Sequence, residues 1–587
     1  MAYIFSDLRR SSPISTLPFE LLSYIFRLAT HEANEDERYP VIDAETIKMP
    51  VILSRVSHFW RNVVQTTPSL WTSICVTGAL VEDRIGRGSQ LNDAHLLTSL
   101  RLSQHQSLDI LIDARDEQWN FQEPEIEDMT EHEGPIYEPL FTPAHMRTAI
   151  SLLLPHMFRW RSLTILTDSW VQMYAALRDI QPHIITKGAP CLEALTLMRC
   201  NDFISYSHTF APSDMRLPAF LDMNNTTPSH HNLLPRLRHL TLSGVHVDWP
   251  SLSSILSKAD HGLDTLDLSS HCLDVRPNLH EFRQLLSECP HLKSLVIKGS
   301  GPLIPDDNDG TSVASDDIQP VHLPHLRDMT LGYRSVFEGQ TILKTIDAPH
   351  VESLTLEDGS HPGAVEDLNV STLLAYIATR NTPEPMQDNY DSVFIYTTPD
   401  GEIAVDKDDF VILTPKSPIV NFSTNTPSRA IFPRLRNLTL QGVKAHESDV
   451  HHFLGALQHL RRLELKNMSM QSIQALHPQQ ALTDSFGAMS CPCPQLRYLC
   501  IRKVEHAQTE DLFFLIGAVA RERFITGGSA LQSIDIYIDH TQTHWPIENV
   551  IQLSNVGTMV KIIREEPLFY EDDYMDCDTE SDLDSVF

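Results

Sequence analysis

Basic residues are scarce in this chain: 45 Lys and Arg stand against 77 Asp and Glu, a formal charge of −32 over 587 residues. A protein that grips nucleic acid without regard to sequence needs cations to displace phosphate counterions, so nucleic acid is not an expected partner. Anionic lipid is unfavourable for the same reason. Long apolar runs are missing as well. The longest strongly apolar one, Leu512 to Ala520, is too short to cross a bilayer. The opening MAYIFSDLRR carries charge where a signal peptide would place its apolar stretch. No membrane association is expected, and the expected location is cytoplasmic or nuclear. The nine cysteines are odd in number and lack the spacing of a disulfide framework, which fits a reducing compartment.

Catalytic signatures are also lacking. There is no G-x-S-x-G, no phosphate-binding P-loop, no H-E-x-x-H and no glycine-rich dinucleotide fingerprint. The segment Gly86–Gln90 has two glycines but neither the lysine nor the helix pattern of a phosphate loop. The histidine pairs His230–His231 and His451–His452 read as surface polarity, the second on a helix where adjacent residues face different sides. Cys491 and Cys493 form a lone C-x-C without a second ligand pair, so Cys493, like Cys289 before its proline, reads as a small buried hydrophobe. The chain is expected to be no enzyme, with no catalytic residue, no metal and no cofactor.

What is present is a repeat. P-x-L-x-x-L-x-L begins at Pro190, Pro235, Pro290, Pro324, Pro349, Pro433 and Pro494. Its last two apolar positions alternate with polar ones, the period of a strand with one buried face. The leading proline, with no N–H and a fixed φ, ends whatever helix precedes it. The same register occurs without proline at Leu263–Leu268, Leu460–Leu465 and Leu531–Ile536, and Trp160, Leu163 and Ile165 fill it earlier. Helical patterns such as EFRQLLSEC and DVHHFLGALQHL lie between strands. Strand then helix, each unit unable to bury its apolar face alone, predicts stacked units with a parallel inner sheet and outer helices. First positions at 192, 237, 263, 292, 326 and 351 are 45, 26, 29, 34 and 25 residues apart. The short spacings fit a leucine-rich repeat and the long ones need loops, so the solenoid should be irregular.

The opening segment differs. Ser15 or Thr16 can cap a helix that opens at Pro18, with Glu20 favouring its positive end. Leu17, Leu21, Ile25 and Leu28 form one apolar stripe, while Leu22 and Phe26 form an adjacent one. Two stripes on a short helix predict burial on two sides: against its own domain and against something else. A second helical pattern follows with Leu53, Val56, Trp60, Val63 and Val64, closed by Pro68. These residues carry a resemblance. L-P-x-E-L-L-x-x-I-F at Leu17–Phe26, then L-S-R-V-S-x-x-W at Leu53–Trp60, resembles the F-box. The trailing T-P-S-L-W-T-S-I at Thr67–Ile74 is similar to the ending seen in the expanded F-box families of mushroom-forming fungi.

The resemblance covers about 60 residues. It implies binding to the Skp adapter of a cullin-scaffolded ubiquitin ligase, with the repeats holding a protein substrate. The adapter-binding residues it implies are Leu17, Pro18, Leu21, Leu22, Ile25, Phe26, Leu53, Val56 and Trp60. The departures are a longer loop between the two halves and His58 where a basic residue is common.

The expected organisation is thus α/β: a helical F-box-like domain over 12–76, a transition with an acidic loop over 77–157, solenoid over 158–356, an insertion over 357–430, solenoid again over 431–565 and an acidic disordered tail over 566–587. The insertion contains a hairpin signal around Pro399-Asp400-Gly401. On the solvent side of the late strands the pattern places Arg462, Glu464, Tyr498, Arg502, Asp535 and Tyr537, a candidate substrate face because Tyr and Arg are enriched at binding hot spots. The rival reading is a non-catalytic repeat scaffold that takes no part in ubiquitin transfer.

Overall fold

The computed structural model describes residues 14, 17–30, 44–84, 88–116, 139–200, 208–221, 232–260, 262–303, 319–359, 369–379, 394–397, 403–406, 431–480, 489–504, 509–539 and 558–565. The chain is α/β, with a large parallel sheet and, among the described residues, thirteen α-helices. It divides into two compact units, Met1–Ala348 and Pro349–Phe587.

In the first unit eight strands pair in sequence order: β1 (Ser73–Thr77), β2 (Leu108–Asp113), β3 (Trp160–Thr167), β4 (Ala194–Arg199), β5 (His239–Ser243), β6 (Thr265–Ser269), β7 (Ser294–Lys298) and β8 (Asp328–Tyr333). Every pair is parallel, and the register aligns the repeat. Leu163, Leu195, Leu240, Leu266, Leu295 and Met329 stand side by side, as do Ile165, Leu197, Leu242, Leu268, Ile297 and Leu331. All of them are buried. In the second unit β9 (Ser353–Asp358), β10 (Asn437–Gln441), β11 (Arg462–Met468), β12 (Tyr498–Val504), β13 (Ser533–Asp539) and β14 (Met559–Glu565) follow the same rule.

The expected strands form at all seven proline-led units and at the three proline-free ones. The proline does more than end a helix. Leu192 N–H donates to Ala189 O, Leu237 to Leu234, Leu292 to Cys289, Leu326 to Leu323, Leu435 to Phe432 and Leu496 to Cys493, at 2.9–3.3 Å. The proline is thus the second residue of a four-residue turn, where its fixed φ suits the geometry. The residue before it (Ala189, Leu234, Cys289, Leu323, Ala348, Phe432, Cys493) is buried every time.

A second device recurs at or near the ends of six strands, β5, β6, β7, β10, β11 and β12. Two residues past the last core position the backbone turns left-handed, at Gly244, Ser270, Gly299, Gly442, Asn467 and Lys503, with φ between 45° and 65°. The N–H of Gly244 then donates to Ser269 O, that of Ser270 to Lys298 O and that of Gly442 to Lys466 O.

Two boundaries differ from the sequence expectation. The parallel sheet begins at Ser73, inside the span assigned to the helical domain, and continues through Leu108–Asp113, inside the supposed transition. The antiparallel pair Phe394–Thr397 with Ile403–Asp406 forms the expected hairpin. The acidic stretch 117–138 and the tail 566–587 lie outside the described residues.

Candidate functional site

Three helices build the opening segment: α1 (Phe19–Thr30), α2 (Ala44–Val56) and α3 (His58–Gln65). Ser15 and Thr16, expected to cap α1, lie outside the described residues, while Glu20 in its first turn and Arg27 in its last complement the helix dipole. The second helical pattern, read as continuous from the sequence, is broken at Ser57, whose hydroxyl accepts the Trp60 N–H at 3.1 Å and so starts α3. A short 3-10 turn, Pro68–Trp71, then brings Leu70 and Trp71 back under the helices. The Trp71 indole N–H donates to Val64 O at 2.9 Å, satisfying the one polar atom of that buried ring.

The core of this segment is Leu22, Phe26, Leu53, Val63, Val64, Leu70 and Trp71, with Val51, Trp60 and Leu102 packed against it. The Phe26 and Trp60 rings meet with centroids 4.7 Å apart. One stripe of α1 is therefore consumed inside: Phe26 is 1% exposed and Leu22 fully buried. The other stripe is left in solvent, with Leu21 52%, Ile25 42% and Leu28 54% exposed, and Phe19 and Tyr24 beside them. Ile52 and Val56 of α2 and Phe59 of α3 are exposed in the same way.

This sorts the nine residues implied to touch a partner. Pro18, Leu21, Ile25 and Val56 are free to do so, and Leu17 and Trp60 are half-buried. Leu22, Phe26 and Leu53 are not available, because the segment's own core closes over them. Phe19, Leu28 and Phe59 belong on the exposed face instead. His58 is exposed.

The late-strand residues stand on the open side of the second unit's sheet, opposite the leucine columns. Arg462 pairs in register with Tyr498, and both are exposed. Further along, Glu464 meets Lys466 at 3.4 Å and Arg502 at 3.2 Å, and the Arg502 guanidinium lies 3.9 Å from the centre of the Tyr537 ring. Burial would lower the Arg502 pKa, but the Cys500 thiol, Tyr537 and Glu464 together raise it. The charge is held, and the guanidinium is fixed across two strands. Asp535 accepts the Ser533 hydroxyl at 2.8 Å.

The histidine and cysteine expectations divide. His451 is buried, with Nδ1 2.9 Å from Ala475 O, so its reading as surface polarity is corrected; His452 is exposed. The pair His230–His231 lies outside the described residues. Cys289 and Cys493 are buried, and burial pushes each thiol up to about 12. Among the described residues no group of three His, Cys, Asp or Glu is placed to hold a metal ion.

Sequence reasoning missed a cluster of polar side chains buried at the C-terminal ends of the first unit's strands. Arg276 meets Glu338 at 2.8 Å with both side chains buried, and the second Glu338 oxygen accepts the Arg334 N–H at 2.9 Å. His271 places Nε2 3.0 Å from Val245 O and Nδ1 2.8 Å from Ser300 Oγ. A carbonyl can only accept, so Nε2 carries the proton. Burial pulls the His271 pKa down to about 3 and that of His246 to about 4. No motif announces these residues: His246, His271 and Arg276 follow their strands in loops of variable length, and Glu338 sits in the first turn of a helix, Val336–Thr345.

No family model matches the chain, and no curated protein matches it. Among the described residues no helix is long and apolar enough to cross a membrane. Fold and site together describe an α/β protein of parallel strands with an opening helical segment that leaves one apolar face uncovered.

Proposed function

We propose that the chain is the substrate-receiving subunit of a Skp–cullin–F-box ubiquitin ligase, with α1 to α3 as the F-box and the strand–helix units as a leucine-rich-repeat solenoid that holds the protein to be modified. The observation that carries this reading is the division of α1 into an inward stripe, Leu22 and Phe26, and an outward one, Leu21, Ile25 and Leu28. An uncovered apolar face of this kind is an aggregation liability in a monomer and is removed by a partner. The L-P-x-E-L-L-x-x-I-F resemblance supports the Skp adapter as that partner, with the cullin bound through it. The reaction needs no bond chemistry from this chain: holding a target near the charged transfer enzyme raises the effective concentration of its lysines.

Leu21 and Ile25 are about half exposed, so covering them would contribute about 0.7–1.5 kcal/mol each. Leu21→Ala with Ile25→Ala should therefore weaken adapter binding roughly ten- to a hundredfold, while the melting temperature stays within a degree or two. Full adapter capture by that double variant removes the reading. Capture of the adapter without cullin would instead favour a repeat scaffold outside ubiquitin transfer.

A further inference from the structure

The edge of each sheet at which the strands begin is built by one hydrogen-bond pattern. The residue just before a strand offers its carbonyl to two consecutive N–H groups of the next unit. In the second unit Glu352 O accepts from Arg436 and Asn437, Arg436 O from Arg461 and Arg462, Arg461 O from Arg497 and Tyr498, and Arg497 O from Gln532 and Ser533. The pattern places Arg436, Arg461 and Arg497 at equivalent positions on neighbouring strands, about 4.8 Å from one strand to the next. Arg462 and Tyr498 open the strands themselves, and Arg434 lies in the turn before β10. All six side chains are exposed.

The only acidic member of this row, Glu352, is taken by Arg436 at 3.3 Å. Among the described residues, no ion pair engages Arg434, Arg461, Arg462 or Arg497. Four guanidinium groups with no ion-pair partner among the described residues thus gather on three adjacent strand starts of a chain whose formal charge is −32.

We infer that this arginine edge is a docking site for a carboxylate-rich peptide segment of a partner protein. Guanidinium is the cation best matched to carboxylate, since its planar fork binds both oxygens at once. The charges are strung over about 10 Å, two inter-strand steps. That spacing matches carboxylates distributed along an extended segment. Tyr498 adds a rigid ring beside Arg462, the pairing of Tyr and Arg that dominates protein-binding hot spots. A general polyanion site is disfavoured by the chain's formal charge of −32, which repels a long nucleic acid but costs a short peptide less. That the captured protein is a ligase substrate rests on the preceding reading. The docking itself is measured without it.

The test is fluorescence anisotropy on the full chain with a labelled glutamate–serine repeat peptide, its glutamine–serine counterpart and a single-stranded oligothymidine of equal charge. The glutamate peptide should bind, weaken steeply between 50 and 300 mM salt, and outcompete both others. Arg461→Glu with Arg462→Glu and Arg497→Glu should weaken it at least tenfold, and the milder Arg→Gln triple variant severalfold, with the melting transition retained. Arg236→Glu with Arg238→Glu and Arg327→Glu, exposed at the corresponding edge of the first unit, makes the same change in overall charge and should leave binding unchanged. Equal binding of the glutamine peptide, a stronger response to oligothymidine, or an equal loss in the control variant would overturn the assignment. Adapter capture by the same variants is read separately, so a failed peptide assay with intact capture sinks only this inference.

Discussion

The strand starts of the two units are built alike and charged differently. In the first unit the equivalent row reads Glu193, Arg238, Asp264, Lys293, Arg327, linked by the same paired N–H contacts to each carbonyl. Signs there mostly alternate, and Lys293 closes on Asp264 at 2.9 Å, while the neighbouring Arg161 is engaged by Asp109. The second unit reads Glu352, Arg436, Arg461, Arg497, Gln532, and three adjacent positions share one sign. The first unit also buries an ion pair, Arg276–Glu338, beside the covered His246 and His271. The apolar frame of the repeat is common to both units. What differs is the residue class at the strand starts: signs mostly alternate in the first unit, and three neighbours share one sign in the second.

Breaking the inward pairing should have the largest effect. Glu338→Ala leaves the Arg276 guanidinium buried without its counter-charge and takes the acceptor from the Arg334 N–H. The expected loss is about 3–5 kcal/mol in unfolding of the first unit. Arg276→Met with Glu338→Leu, which removes both charges, should cost much less. Denaturant titration of the three variants decides it, and a Glu338→Ala loss below 1 kcal/mol would mean that water already solvates the pair.

The buried histidines give the next effect, a pH dependence. His271 is neutral when folded down to about pH 3, and His246 to about 4, whereas an unfolded histidine protonates near 6.5. The unfolded chain therefore binds more protons below pH 6.5. Stability is full above that value and falls as pH drops towards the folded pKa values, by up to about 1.4 kcal/mol per pH unit for each histidine. His271→Asn should be less stable at pH 7 yet lose less between pH 6.5 and 4. Parallel melting curves for the two proteins would show that the imidazole does not drive the slope.

In the second unit the corresponding substitutions should hardly register on stability. Arg502→Ala removes the contacts to Glu464 and Tyr537, but all three side chains reach solvent, so the change should stay within about 1 kcal/mol. A loss as large as that of Glu338→Ala would erase the contrast between the two units.

The sheet was legible because its signal repeats: each P-x-L-x-x-L-x-L segment became a strand, and its leucines fell into columns. Its start was not, because Ser73–Thr77 falls where the sequence pattern closes the helical segment, and five residues carry too little alternation to argue otherwise. On α1 both stripes were visible, but which one faces inward was not. Leu21 and Leu22 are chemically alike, and only the placement of α2, α3 and Trp71 decides that Leu22 and Phe26 are covered. His451 escaped for a related reason. A helix face is named polar or apolar from its neighbours, and nothing in the sequence shows that Ala475 O waits beside that ring.

The smallest effect concerns the left-handed residue found at or near the ends of six strands. Glycine meets it without steric cost at Gly244, Gly299 and Gly442, and asparagine tolerates it at Asn467, but Ser270 has φ 58° and Lys503 has φ 49°. A side chain in this region costs about 1 kcal/mol against glycine, partly offset by the larger conformational freedom glycine brings to the unfolded chain. Ser270→Gly keeps the backbone N–H that donates to Lys298 O, so it should stabilise the first unit by roughly 0.5–1 kcal/mol. Lys503→Gly tests the same device in the second unit. The two gains should match, because the backbone geometry is shared even though the charges around it are not, and a gain confined to one unit would show that the repeat's frame is less uniform than its leucine columns suggest.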